Sequence, residues 1–248
     1  MPDTFADFPP NAPARQVLIV AHGSPADPAT QEAALMALAV RVALWLPGWQ
    51  VRGTTLAAPG ALEHALAGLD RPMIYPFFMA EGFFTRTTLP KRLAAAGHPD
   101  LTRLPAFGHD PALPALMADL ARTACGDNGL DPARTTLLIA AHGSQVSRAS
   151  ATITESVARV LRTTSGFQKI VTGYVEEAPF LQDVARLNGP ALCLPFFALR
   201  AGHVMDDVPH ALSQAGFTGP LLPPLGEAPP IARMIAGSLA AHRAPANV

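Results

Sequence analysis

Cysteine is nearly missing from these 248 residues. Cys125 and Cys193 are the two present, too few for a disulfide scaffold and without the CxxC spacing of a thiolate metal site. That scarcity suits a reducing compartment. A surplus of charge is missing too: 18 Lys+Arg stand against 19 Asp+Glu. The balance excludes the clustered basic excess of a protein that grips nucleic-acid phosphates. No apolar run reaches the ~18–20 residues that cross a bilayer. The opening stretch, with Asp3, Asp7 and several prolines, lacks the basic-then-apolar order of a signal peptide. No phosphate-cradling GxxxxGKS occurs, so nothing points to ATP. What the chain does have is a 49% hydrophobic composition, which places it in the globular class with length for one large domain or two small ones. The expectation is a cytoplasmic protein with no nucleic acid and no membrane among its partners.

The sequence then repeats itself. Val17-Leu18-Ile19-Val20-Ala21-His22-Gly23-Ser24 returns 120 residues on as Leu137-Leu138-Ile139-Ala140-Ala141-His142-Gly143-Ser144. Gly53 and Pro59 return as Gly173 and Pro179 at the same offset. Pro76-Phe77-Phe78 returns as Pro195-Phe196-Phe197, and Pro90 as Pro209, both 119 residues on. Leu104-Pro105 with Gly108 and Pro111 has its echo in Leu222-Pro223 with Gly226 and Pro229, 118 residues on. An ordered series with a nearly constant offset is the mark of a tandem duplication.

Each half alternates strands and helices. Apolar runs at 17–21, 51–56 and 73–78, with counterparts at 136–141, 169–175 and 191–197, have strand length and no helical period. Leu62, Ala65, Leu66 and Leu69 fall on one helical face, as do Ile153, Val157, Val160 and Leu161. Asp27 caps a helix from Pro28 to about Leu46. The joint falls near Cys125–Pro132, at the turn cluster Gly126-Asp127-Asn128-Gly129, and residues 1–14 and 243–248 read as loose tails. The expected fold class is α/β: two tandem lobes over 16–124 and 132–242, each a parallel sheet flanked by helices, with a cleft between them.

Ligands of open parallel sheets bind at the carboxyl ends of the strands. His142, Glu176 and His203 all fall at such ends in the second half. Two imidazoles and a carboxylate suit Fe2+, Co2+, Ni2+ or Zn2+, and the imidazoles also exchange protons near neutral pH. Each has a plainer reading: His142 as a satisfied core histidine, His203 as an exposed loop histidine, and Glu177 beside Glu176 as a solvated or helix-dipole acid. Asp206 and Asp207 read as caps of a helix starting near Val208-Pro209.

The strand-AHGS start, Gly173-Tyr174-Val175-Glu176 with Pro179, and Pro195-Phe196-Phe197…Gly202-His203…Asp207-Val208-Pro209 together resemble the ATP-independent (class II) sirohydrochlorin chelatases. The resemblance spans about residues 16–240. It implies an enzyme, possessing no need of ATP, that inserts a divalent metal substrate (cobalt first, then iron or nickel) into a tetrapyrrole for cobalamin or sirohaem. It also implies that His142, His203 and Glu176 surround the metal and carry the catalysis. Ser144, Arg148, Arg200 and Arg86, with Lys91 and Arg92, are candidate contacts for the carboxylate fringe of the substrate. A monomer suffices for such a site.

The first half departs from that pattern. His22 is present, but the 120 and 119 offsets put Leu56 where Glu176 belongs and Phe84 where His203 belongs. On this reading only the second half is catalytic, and His22 is a relic or faces the substrate from the other lobe. Gln145 follows AHGS where the family commonly has a basic residue, and Arg148 is close enough to substitute. Phe83 and Phe84 are candidates for the face of a macrocycle, whereas His64, His98, His109, His210 and His242 read as surface or structural. Two other readings are a metal- or tetrapyrrole-binding protein without turnover and a phosphoryl-transfer enzyme with a histidine nucleophile; the second lacks clustered arginines beside His142.

Overall fold

A computed structural model describes residues 15–200 and 206–242. His203 and both expected tails lie outside the described residues. The first half runs β1 (Gln16–Ala21), α1 (Pro28–Ala43), β2 (Gln50–Thr55), α2 (Ala61–Leu66), β3 (Met73–Pro76), α3 (Leu89–Ala95) and α4 (Leu113–Asp127). The second runs β4 (Thr136–Ala141), α5 (Ala149–Thr164), β5 (Lys169–Tyr174), α6 (Leu181–Val184), β6 (Ala191–Pro195), α7 (Val208–Gln214) and α8 (Ile231–Ala241). Each half forms a three-stranded parallel sheet, ordered β2-β1-β3 and β5-β4-β6. The central strand is therefore the one that ends in the AHGS turn, and it is buried on both faces.

The strand pairing corrects the alignment of the halves. Ala21 lies opposite Thr55, while Ala141, 120 residues later, lies opposite Tyr174, only 119 after Thr55. The partner of Glu176 is thus Ala57 and not Leu56: the Ala57 and Glu176 N–H groups donate to the carbonyls of His22 and His142, each at 2.9 Å. For the same reason Gly53 and Gly173 are not equivalent. Gly53 pairs with Ile19 and lets α1 approach, since a Cβ there would sit 2.4 Å from the Leu35 carbonyl oxygen. Gly173 pairs with Ala140 and faces Val184 of α6 instead.

Alternate residues of each strand face different layers, as the period of two requires. Val17, Ile19 and Ala21, together with Leu137, Ile139 and Ala141, join one continuous core with the apolar faces of α1, α4, α5 and α8. Leu18 and Val20 pack with α2 and α3, and Leu138 and Ala140 with α6 and α7, in two smaller clusters. The last helix of each half packs on the first helix of the other, α8 on α1 and α4 on α5. Two details differ from expectation. Val160 is 42% exposed, because the buried stripe follows Ile153, Val157 and Leu161 with Thr154 and Ala158 on the opposite flank. The turn cluster begins late: α4 continues through Gly126 and Asp127, and Gly129 at φ 66° makes the reversal. Asp27 caps α1 as expected, accepting from the Thr30 N–H at 3.4 Å.

A core shared in this way does not divide at the joint. Residues 1–131 expressed alone should show no cooperative thermal transition by circular dichroism, whereas the full chain should show one.

Candidate active site

Both AHGS turns leave their strand through a glycine in the left-handed region, Gly23 at φ 76° and Gly143 at φ 74°. A side chain at Gly143 would be strained by that backbone and would press within 2.9 Å of Tyr174 Cβ and Glu177 Cγ. The turn is then tied to the next strand end. The Ser144 N–H donates to the Glu177 carboxylate at 3.0 Å, and the Ser144 hydroxyl accepts from the N–H groups of Val146 and Ser147 at 3.3 and 3.2 Å. Glu177 is therefore neither a solvated acid nor a helix-dipole partner; it holds the AHGS loop in place.

His142 and Glu176 are brought together, with Nδ1 and Oε2 3.8 Å apart. The same Nδ1 lies 2.9 Å from the Gly143 carbonyl, which accepts only from a protonated nitrogen. Nδ1 thus carries the proton of the neutral ring and Nε2 is the basic nitrogen. The two side chains are 38% and 39% exposed, so solvent screens their attraction and the pair contributes little to stability. The pair sets a carboxylate beside an imidazole at the ends of neighbouring strands. Among the described residues no three His, Cys, Asp or Glu side chains lie close enough to hold an ion.

His142 opens onto a cleft of about 700 Å³ lined from both halves. His22, Gln31, Phe78 and Phe84 contribute one side, and Leu199, Asp206 and Asp207 join His142 on the other. His22 is half-buried, its ring 3.8 Å from that of Phe84, and its buried Nδ1 has no partner among the described residues. Burial holds its pKa below the ordinary imidazole value. His22 faces the cleft, and it has Ala57 and Phe84 where a carboxylate and a second imidazole would be needed. Gln31 escaped notice in the sequence because a lone glutamine in an Ala-rich helix carries no signal. It is buried and donates to the Arg200 carbonyl at 2.8 Å, joining the lobes at the cleft. Asp207 occupies the cap position of α7, yet its side chain makes no cap hydrogen bond; it and Asp206 line the cleft.

The expected substrate contacts separate. Ser144 and Arg148 line a hollow of about 520 Å³ together with Glu176, next to the His142 turn. Arg200 makes a two-pronged ion pair with Glu227, Nε–Oε1 3.0 Å and Nη2–Oε2 2.8 Å, which raises its pKa. Arg86 is 71% exposed, pairs with Glu81 at 3.2 Å and lines a different hollow beside Arg103. Arg92 is committed to the Leu56 carbonyl and Glu63. The π-helical turn Phe84–Thr88 places Phe84 in the cleft and Arg86 outside it, a division that residue spacing alone does not predict. Phe77, Phe196 and Phe197 are buried in the core while Phe78 lines the cleft, and burial pushes the Cys193 thiol up, which leaves it inert.

The family described as CbiX matches residues 136–241. Among solved structures, the chain is similar to CbiX, the terminal enzyme for biosynthesis of siroheme in denitrifying bacteria. The two are 52% identical with a TM-score of 0.86, over 93% of this chain and 100% of that one. It shares its fold with SirB from Bacillus subtilis with Fe3+, at 13% identity and TM-score 0.73 over 92% and 94% of the two chains. The sirohydrochlorin chelatase SirB from Bacillus subtilis subspecies spizizenii, in complex with cobalt, has the same fold at 13% identity and TM-score 0.66 over 90% and 93%. No curated protein sequence matches the chain.

The lowered pKa of His22 has a consequence for stability. The unfolded chain takes up this proton near ~6.5 while the folded chain resists it. The stability is complete above that pH and is lost as pH falls towards the folded value. His22→Gln removes the proton uptake, so its melting temperature should fall less between pH 7.5 and 5.0 than that of the parent, measured by calorimetry.

Proposed function

The chain belongs to the CbiX family, and on that premise we propose that it inserts a divalent first-row metal into sirohydrochlorin at a single site in its second half, built from His142, His203 and Glu176. It is an enzyme, a sirohydrochlorin chelatase. The observation that carries the site is the His142–Glu176 pair at the ends of neighbouring parallel strands, at the edge of a cleft between two lobes. His203 completes it as the second imidazole: Phe84, 119 residues earlier, is the residue that meets the strand-end histidine of the first half.

The net reaction replaces two pyrrole N–H protons by one M2+ and releases two protons. Nε2 of neutral His142 has the lone pair to hold the incoming ion or to take a proton, and the Gly143 carbonyl keeps Nδ1 protonated throughout. Glu176 stands beside the ring and offsets the charge that it gains. Phe78, Phe84 and Leu199 give the cleft apolar walls for the face of a macrocycle. Arg148 and the Ser144 loop share a hollow with Glu176 and are the groups assigned to the carboxylates at the macrocycle's rim. The scheme calls on no ATP, is compatible with a monomer and places the reaction in the cytoplasm.

An N/O donor set without thiolate discriminates weakly among first-row divalent ions. The relative of 52% identity, named for siroheme, supports iron; the cobalt and nickel implied by the resemblance remain within reach of the same donors. Purified protein should therefore insert Co2+, Fe2+ and Ni2+ under anaerobic conditions, with supply deciding among them in the cell. A site that takes one and rejects the other two would contradict the proposed donor set.

Substitution separates the halves. His142→Ala and His203→Ala should each lower insertion by about 100-fold or more, the range for loss of a positioned general base, with circular dichroism unchanged. His22→Ala should stay within about threefold of the parent. Equal inactivation of all three would show that both halves take part in the chemistry.

A further inference from the structure

A second cavity, of about 680 Å³, lies where β3 and α4 of the first half meet α8 of the second, and it shares no lining residue with the histidine cleft. Its walls are apolar, with Leu104 and Leu116 facing Met234. Its floor is polar. Tyr75 is 2% exposed, yet its hydroxyl has no hydrogen-bond partner among the described residues. Beside it Asp110, 9% exposed, accepts the Ala112 N–H at 2.9 Å and the Ser238 hydroxyl, the latter a bond between the two halves.

Two features of this cavity weaken the fold without a packing reason. A buried hydroxyl left unbonded is destabilising. Packing does not demand a phenol, because Leu194 holds the same register position in the second sheet. Gly237 lies within α8, where glycine is the poorest helix former after proline. A Cβ there would meet nothing within 4 Å, so the missing side chain is not required by a neighbour; it keeps the cavity wall open. Local costs that packing does not explain gather at functional sites.

The geometry points to a binding site for a neutral, largely apolar small molecule carrying one hydroxyl or carbonyl oxygen that accepts the Tyr75 proton. Asp110 and Arg233 put charges of opposite sign on the lining, with His109 and His242 beside them, so neither sign of ion meets an unopposed counter-charge, and the apolar walls penalise burying one. A macrocycle fringed with carboxylates suits neither the apolar walls nor that floor, so the ligand differs from the chelatase substrate. The site also adjoins the cleft: Phe107 packs 4.6 Å from Phe77, and the Gly108 N–H donates to the Phe78 carbonyl at 3.0 Å.

Benzyl alcohol is the probe, set against benzoate and benzylammonium on the full chain, with saturation-transfer NMR and thermal shift as readouts. Benzyl alcohol should bind with a Kd on the order of millimolar, as its size allows, and at least about fivefold tighter than either ion. Tyr75→Phe should weaken it by about fivefold, the worth of one hydrogen bond, while raising the melting temperature of the free protein. Gly237→Leu, placed where the helix faces open space, should abolish binding and keep the circular dichroism spectrum. The proposal is overturned if the parent binds no benzyl alcohol, if either ion binds as well, or if Tyr75→Phe binds like the parent. Unchanged binding by a folded Gly237→Leu variant would overturn it too.

Discussion

The helical layer between the two sheets governs the rest of the molecule. Each sheet turns one face to it, and α1, α4, α5 and α8 fill it from both halves. Because α8 closes on α1 and α4 on α5, neither sheet can shift without opening apolar surface to water. The two AHGS turns are carried on the central strands of sheets held by that layer, so His22 and His142 reach one cleft from opposite lobes. A rigid layer of this kind serves an enzyme that must fix a metal ion against a flat substrate, since positioning is most of what the protein can contribute.

The two halves use the same frame for different ends. In the second, Glu176 stands beside His142 and Glu177 grips the Ser144 N–H, so the strand end carries charge and its loop is fixed by a carboxylate. In the first, Ala57 replaces Glu176 and Phe84 covers the His22 ring, so the same place has become a half-apolar wall. The buried polar atoms without a partner among the described residues, His22 Nδ1, Thr54 Oγ1 and Tyr75 Oη, all belong to the first half. Gly173 and Leu194 occupy the register positions of Thr54 and Tyr75 in the second, with no polar side-chain atom to satisfy. The half without the carboxylate therefore bears the unsatisfied groups, and Tyr75 turns one of them towards a separate cavity.

The duplication, the six strands, the AHGS strand ends and the pairing of His142 with Glu176 were all legible in the residues. Strands such as β1, β4 and β6, buried along nearly all their length, read as apolar runs, and a parallel sheet brings its carboxyl ends together whatever the intervening loops are. These are properties of local pattern and topology, which a repeated sequence states twice. Register, loop direction and partner choice were not legible. The one-residue slip between β2 and β5 moved the counterpart of Glu176 from Leu56 to Ala57, because hydrogen-bond pairing and not shared residue type sets which positions correspond. The π-helical turn sent Phe84 into the cleft and Arg86 away from it, and Glu227 engaged Arg200. Gln31 and the Tyr75–Asp110–Ser238 floor join residues as far as 169 and 128 positions apart, and contacts of that separation exist only once the shared layer has closed.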